Sequence, residues 1–267
     1  MAHVVIIVAS PAPVPRDAIQ RVAELLTTDA YSLRLALQRS RPLILNVAAE
    51  AAAEEAVAVL TGLGHEAYAM DLAHVQGLAA PLLPRTLALH RDHVRFVMAE
   101  DELVLSKWDN IFLLVHGRCR RSVRRQVSVT PQPGSILMRP TQSESLQENI
   151  TDRLDLYFYD GSVPVRVDSG RFSFRFLGSR LGLSDAQSLQ TTIRAIRKLA
   201  PQAILDDGFE RYRRTAGSVG RSHRSRDASL IAGWMTTTAD VEDDGPRFDL
   251  YSRISFLVHL KRAEGAA

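Results

Sequence analysis

"NIFLLVHGRCRRSVRRQVSVT", Asn110 to Thr130, is the stretch on which the reading of the fold turns. It is long and β-rich, and its middle section, Gly117 to Arg125, packs five arginines into nine residues. On a strand, successive side chains point to opposite faces. Arg118, Arg120, Ser122, Arg124, Gln126 and Ser128 then share one face. Cys119, Arg121, Val123, Arg125, Val127 and Val129 share the other. The second face becomes apolar towards its C-terminal end, as in a strand entering a core. The expectation is a hairpin arm with a solvated arginine face, because charge runs are usually solvated.

Working outward, β signals dominate. "VRFVMAEDELVLS" (Val94 to Ser106) reads as strand, turn, strand. "DLYFYDGSVPVRVDSGRFSFRFLG" (Asp155 to Gly178) reads as three short strands separated by "YDGS" and "DSGR", which are good turn chemistry. Residues 131–153, polar and proline-bearing, are expected to form a loop. In "LSDAQSLQTTIRAIRKLAP", Ser184 and Gln187 stand at capping-box spacing, while Leu189, Ile193, Ile196 and Leu199 form an apolar stripe that Pro201 ends. Short strands in meander order followed by one amphipathic helix resemble a pleckstrin-homology-like barrel, in which the helix closes one end. A small barrel of the PilZ type is the alternative.

The first seventy-odd residues read as β-α-α-β-α-β. "HVVIIVA" (His3 to Ala9) is a continuous apolar run, as in a strand buried on both faces or at an edge under helices. Pro15 and Asp17 open a helix with Ile19, Val22, Ala23 and Leu26 inward, and Asp29 caps a second one carrying Leu33, Ala36 and Leu37. "RPLILNV" is the next strand. An alanine-rich helix from about Ala49 to Leu63 follows, stopped by Gly64 as a C′ glycine would stop it. "HEAYAMD" (His65 to Asp71) is the third strand. This order, with the L-x-x-L-G turn (Leu60 to Gly64) and "LGHEAYAMD", resembles the C-terminal domain of the bacterial ribosomal stalk protein and the related Clp-protease adaptor. The place of the stalk domain's lysine- and glycine-rich docking helix is taken here by "TTDAYSLRLALQRS". The resemblance therefore implies a fold and not the stalk function.

The chain has 267 residues, 46% hydrophobic and 24% charged, with a net charge of +3. That length suits two domains. We expect an α+β protein: a small α/β domain over 1–75, a linker over 76–91, a β-rich barrel domain with its closing helix over 92–210, a flexible basic and acidic linker over 211–246, and a C-terminal amphipathic helix over 247–263. In that last segment Leu250, Tyr251, Ile254, Leu257 and Val258 are spaced for a helix, although "RISFLVHL" is also β-prone. The apolar run near the amino terminus is too short to span a bilayer and lacks a positive region before it. A single cysteine, Cys119, excludes an internal disulfide and a cysteine metal cage. A cytoplasmic location fits.

Candidate chemistry centres on Arg118, Arg120, Arg121, Arg124 and Arg125, whose planar guanidinium groups suit bidentate phosphate contact. In pleckstrin-homology domains a basic strand-loop-strand binds lipid phosphates. "RRSVR" has the arginine spacing of PilZ-type receptors of cyclic di-GMP, and Asp160 and Ser162 fit that family's second motif while Val165 replaces its glycine. His90 and His93 could supply two metal ligands, with no third nearby. Asp206, Asp207 and "DVEDDG" (Asp240 to Gly245) read as turn and linker, and Cys119 as a small residue on a strand face. No nucleophile elbow, Walker loop or dinucleotide fingerprint is present. The expectation is a non-enzymatic adaptor or scaffold with a protein partner, no cofactor, no metal and no catalytic set. The alternatives are a sensor of a cyclic dinucleotide or anionic lipid through Arg118 to Arg125, and an RNA-binding accessory protein that also uses "RYRRTAGSVGRSHRSR" (Arg211 to Arg226).

Placing the stripe of Leu189, Ile193 and Ile196 in a core has a direct test. Ile193→Asp would bury a carboxylate without a partner and cost several kcal/mol. A thermal melt indistinguishable from wild type would remove this helix from the core.

Overall fold

The computed structural model describes residues 2–9, 14–37, 43–99, 102–129, 141–215, 223–231 and 235–266. Its first elements are β1 (Ala2–Ala9), α1 (Arg16–Leu25), α2 (Ala30–Leu37), β2 (Leu43–Ala49), α3 (Glu50–Gly62) and β3 (Glu66–Asp71). The strands form an antiparallel sheet in the order β2-β1-β3. Local chemistry sets the boundaries. Asp29 Oδ2 accepts from the Ser32 backbone N–H at 2.7 Å and opens α2. Gly64, at φ +81°, ends α3 by letting His65 N–H return to the Leu60 carbonyl. Alternation in β1 sends Val5 into a core with Ile19, Val22, Leu26, Leu33 and Leu60, and sends Ile6 into a different core on the opposite face. Both faces of this sheet are therefore covered, which is why "HVVIIVA" is apolar throughout.

The chain continues through α4 (Leu72–Gly77) into a three-stranded meander, β4 (Thr86–Leu89), β5 (His93–Val97) and β6 (Leu103–Lys107). Residues 76–91, expected as a linker, include β4 and are tied down. Leu82 N–H donates to the Pro164 carbonyl, and the Leu82 carbonyl accepts from Arg166, both at 2.8 Å. A short 3₁₀ turn at Trp108–Asn110 leads into β7 (Ile111–Val129), which pairs along nearly its whole length with β8 (Thr141–Phe158). Much of the loop expected over 131–153 is thus strand. Its polar composition follows from exposure on both faces, not from irregular backbone. β9 (Val165–Asp168), α5 (Asp185–Leu199), β10 (Ile204–Asp206), α6 (Phe209–Thr215), β11 (His223–Ile231), β12 (Met235–Asp243) and α7 (Gly245–Ala266) follow.

Two expectations change here. The second unit is no closed barrel among the described residues. Its sheets are open, β4-β5-β6 and β11-β12-β7-β8-β9, with β10 parallel to the inner part of β7. The sheet stays open because its edge strands, β11 and β9, do not pair with each other and the meander β4-β5-β6 forms a sheet of its own; β7 is an interior strand, with β8 on one side and β10 and then β12 on the other. The flexible linker expected over 211–246 also gives way to α6 and the β11–β12 hairpin, which extends the sheet from β7.

The inner part of β7 is buried on both faces. Ile111 and Leu114 join a core with Leu154, Leu156, Val165, Phe96, Leu87 and the α5 residues Leu189, Ile193 and Ile196. Phe112, Leu113 and Val115 join the opposite core with Tyr157, Phe209, Phe248 and Tyr251, and an irregularity in register between Ile111 and Leu113 accommodates the change of phase. The strand therefore meets the core at its N-terminal end, the reverse of the sequence expectation, and its arginine-bearing end is the arm. Gly117 marks the transition. A Cβ there would stand 2.6 Å from the rings of Phe209 and Phe248, so these aromatics pack directly on the strand backbone.

α7 settles the helix-or-strand question at the C-terminal segment as helix. Its buried positions, Phe248, Tyr251, Ser252, Ile254, Ser255, Leu257 and Val258, span an arc of roughly 220° at 100° per residue. This is more than one amphipathic stripe because the helix lies between two sheets. On one side it packs on β7 and β8. On the other it shares a core with Ile6, Met70 and Val75, while Arg262 grips Glu66 bidentately at 2.5 and 2.7 Å.

Its rotation is fixed by a buried ion pair. Arg166 on β9 donates to both oxygens of Asp155 on β8, at 2.6 and 2.8 Å, and its third nitrogen reaches Asp249 of α7. Ser252 donates to Asp155 at 2.6 Å, and the Arg166 guanidinium lies 5.1 Å from the Phe248 ring centroid. Burial alone would lower the Arg166 pKa, but the hydrogen bonds and charge of Asp155, with Asp249, hold it well above its ordinary value. Removing one partner strands the other. Arg166→Met should cost about 3–5 kcal/mol, and adding Asp155→Leu should recover part of that loss. Chemical denaturation of both variants checks this. A single variant as stable as wild type would deny the pair its role in seating α7.

Candidate functional site

The five arginines all lie on the arm, and all are exposed. Cross-strand geometry supplies each of four with a carboxylate. Arg118 Nε lies 3.1 Å from Asp152, its direct partner on β8. Arg120 pairs with Glu148, and Arg124 Nε lies 3.1 Å from Glu144, both on the diagonal across the same face. Arg121 Nε stands 4.0 Å from Asp243, its partner on β12. Asp240 is opposite Arg124, and Glu242 is opposite Ser122. The run "DVEDD", expected as linker, is thus the strand beside the arginines and carries their counter-charge. Arg125 sits opposite Ser145 and Ala239.

The dinucleotide-type motif does not assemble. Asp160 closes a turn by accepting from Ser162 N–H at 2.9 Å and lies beside Asn110. Asn110 is ten residues from Arg120 along an extended chain, a separation of roughly 30 Å at about 3.3 Å per residue. Cys119 is buried, and burial pushes its thiol up to about 12, so it stays protonated. His90 and His93 stack at 4.4 Å across the β4–β5 turn, and no cluster of three metal-ligating side chains exists among the described residues. The basic segment Arg211 to Arg226 falls largely outside the residues whose side chains are described.

What the sequence reading missed is a cleft of about 450 Å³ at the root of the arm. β7 contributes His116, Gly117 and Arg118, and β8 contributes Asp152. α5 adds Gln190 and Ile193. Leu205, Asp207 and Glu210 come from β10 and the start of α6. Asp152 is 4% exposed, its backbone N–H donates to Ser169 Oγ, and His116 Nε2 stands 3.7 Å from its Oδ1. Gln190 Nε2 lies 3.3 Å from the same imidazole nitrogen. These residues come from four segments spread over ninety-odd positions, so no local spacing could have grouped them. The alternation of β7 was the one available signal, since it places His116 on the face of Arg118.

Burial would raise the Asp152 carboxyl, but hydrogen bonding and charge from His116 and Arg118 outweigh it and hold the pKa below the ordinary 3.8. A lowered carboxylate stabilises the fold above its unfolded value and loses that contribution as pH falls through the folded one. Asp152→Asn should therefore be less stable than wild type near neutral pH, with the difference shrinking as pH falls below 3.8. Denaturation curves across that range check this, and a difference that grows on acidification would reverse the sign. No family model, curated protein or solved structure matches the chain, so the reading of its function starts from these residues.

Proposed function

We propose that the protein is a non-enzymatic adaptor or scaffold that holds a protein partner on the β7–β8 arm. One observation carries this reading. Leu146 and Ile150 are 56% and 57% exposed, and both lie on the arm face of Arg120 and Arg124. Glu148 stands between them, already paired with Arg120. Two alkyl side chains set among neutralised charges resemble the apolar centre and polar surround of a protein interface. The partner this suits offers its own apolar side chains, with both charge signs at the margin.

The same pairing counts against a nucleotide or anionic-lipid sensor. A phosphate would have to displace Asp152, Glu148 and Glu144 from their arginines before gaining contact. No helix among the described residues is long and apolar enough to cross a membrane.

Two variants separate the readings. Leu146→Asp with Ile150→Asp should leave the melting temperature near wild type, since both residues are exposed. The pair should weaken a purified partner, first found by capture on the full chain, by at least about tenfold, as expected for centre residues of an interface. An unchanged affinity would remove the arm as the docking surface. Arg120→Gln with Arg124→Gln should shift stability by less than about 1 kcal/mol, because both ion pairs are exposed. Calorimetry with cyclic dinucleotides and flotation with anionic liposomes should show no binding by wild type. Saturable binding that this double variant loses would favour the sensor.

A further inference from the structure

We infer that the chain forms a symmetric dimer by pairing the edge of β6 with the same strand of a second copy. The meander β4-β5-β6 is a sheet of its own, and this pairing does not depend on the docking role proposed for the arm. The backbone of β6 is open on one side. Met98 N–H donates to the Glu102 carbonyl at 2.8 Å, and Trp108 N–H donates to the Asp92 carbonyl at 3.4 Å. The even-numbered residues of β6 therefore turn their backbone groups towards β5. Leu103, Leu105 and Lys107 turn theirs the other way, where no strand lies among the described residues. The opposite edge of the meander is already covered. There the Arg85 carbonyl accepts from Ser173 N–H at 2.7 Å, and Thr86 Oγ1 donates to the Ser173 carbonyl at 2.9 Å.

The side chains of β6 suit a covered strand rather than an edge. Cross-strand register sets Leu103 beside Val97 and Leu105 beside Arg95 on the outer face, while Phe96 and Val104 turn to the core. Leu103 and Leu105 are 51% and 62% exposed, yet Ser106 is buried. The usual order, apolar inside and polar outside, is inverted along this strand. Sheets ordinarily blunt an open edge with charge, proline or a bulge, because free N–H and C=O groups beside apolar side chains are a template for another strand.

What fits that template best is the strand itself. Outward-facing residues bond to outward-facing residues, so an antiparallel copy centred on Val104 sets Leu103 opposite the copy's Leu105, and Leu105 opposite its Leu103. Each exposed leucine then covers a leucine, and the two pairs exchange about four backbone hydrogen bonds. The ends match in charge as well. Glu102 and Lys107, both exposed, stand at opposite ends of the strand, and reversing its direction brings each next to the other in the second copy. A parallel copy would set like charges together. A two-fold contact of this kind occupies both edges and closes at two chains. With five residues to a strand it is smaller than a standard interface, so the dimer is weak and depends on concentration.

Sedimentation velocity of the full chain at concentrations up to about 1 mM tests the pairing. Monomer and dimer should exchange, with no larger species. Leu105→Lys should weaken dimerisation at least about tenfold, as expected for a centre residue, and keep the melting temperature near wild type because the residue is exposed. Leu103→Lys provides the same comparison if that variant does not fold. Leu146→Asp with Ile150→Asp should leave dimerisation unchanged, which separates this edge from the arm. Disulfide trapping reads the register. Chains carrying Leu103→Cys, mixed with chains carrying Leu105→Cys, should cross-link faster than either alone, since opposed residues of this kind have Cα atoms about 5.5 Å apart. The native Cys119 is buried and does not compete. A chain that stays monomeric over the whole range would overturn the pairing. So would a dimer that the arm variant dissolves and the β6 variants spare, open-ended growth, or a mixture that cross-links no faster than its components.

Discussion

A guanidinium with almost no access to water can persist only if every direction around it is answered, and Arg166 sets that condition for the whole molecule. Two strands and a helix must converge on it. β8 supplies Asp155, its own strand β9 supplies the backbone, and α7 supplies Asp249 and the face of Phe248. Buried ion pairs contribute little net stability compared with apolar residues of the same shape, because desolvation offsets most of the attraction. What they add is discrimination among nearly equivalent packings. α7 could roll on an apolar surface, but with Asp249 and Ser252 facing Arg166 and Asp155, and Tyr251 donating to Asp206 at 2.7 Å, only one rotation satisfies all of them. That rotation leaves the opposite side of α7 to meet Ile6, Met70 and Val75.

The same strand pair runs from this dry centre into solvent, and β7 changes its chemistry along the way. Its inner residues are apolar on both faces because two cores need them. Past Cys119 there is no core left to enter. Stability out there comes from backbone pairing with two neighbours and from charges matched across strands, each matched pair worth a fraction of a kcal/mol to about 1 kcal/mol. The arginines of β7 and the acids of β8 and β12 are therefore one feature distributed over three strands. Their near-neutral sum is consistent with the small net charge of the chain.

This distribution explains what was legible in the sequence. Elements whose signals are local came through. Asp29, Gly64 and Ser184 set helix ends by contacts with their own neighbours, and Leu189, Ile193 and Ile196 mark a stripe that needs no knowledge of what covers it. The α+β class follows from such signals. β11 and β12 did not come through, because an edge hairpin held by backbone bonds to β7 can be built from Ser, Thr, Arg and Asp. Composition then does not report its pairing. Residues 141–153 failed for the same reason. The barrel expectation failed because short strands in order do not reveal whether they join one sheet or divide between two. The candidate site was half visible: Arg118 could be named, but Asp152, Gln190 and Asp207 meet it only through long-range pairing.

The placement of α7 has a consequence for the order in which the chain can finish folding during synthesis. The sheet of β1, β2 and β3 is complete once residue 71 has emerged, and one of its faces can be covered at once by α1, α2 and α3. The other face carries Ile6 and Met70; α4 covers part of it directly, and the rest of its cover is encoded at residues 245–266. At roughly 5–20 residues per second, some ten to forty seconds separate the two events on the ribosome. For that interval part of an apolar sheet face stands open on the nascent chain, the kind of surface that chaperones recognise and that other chains can aggregate upon.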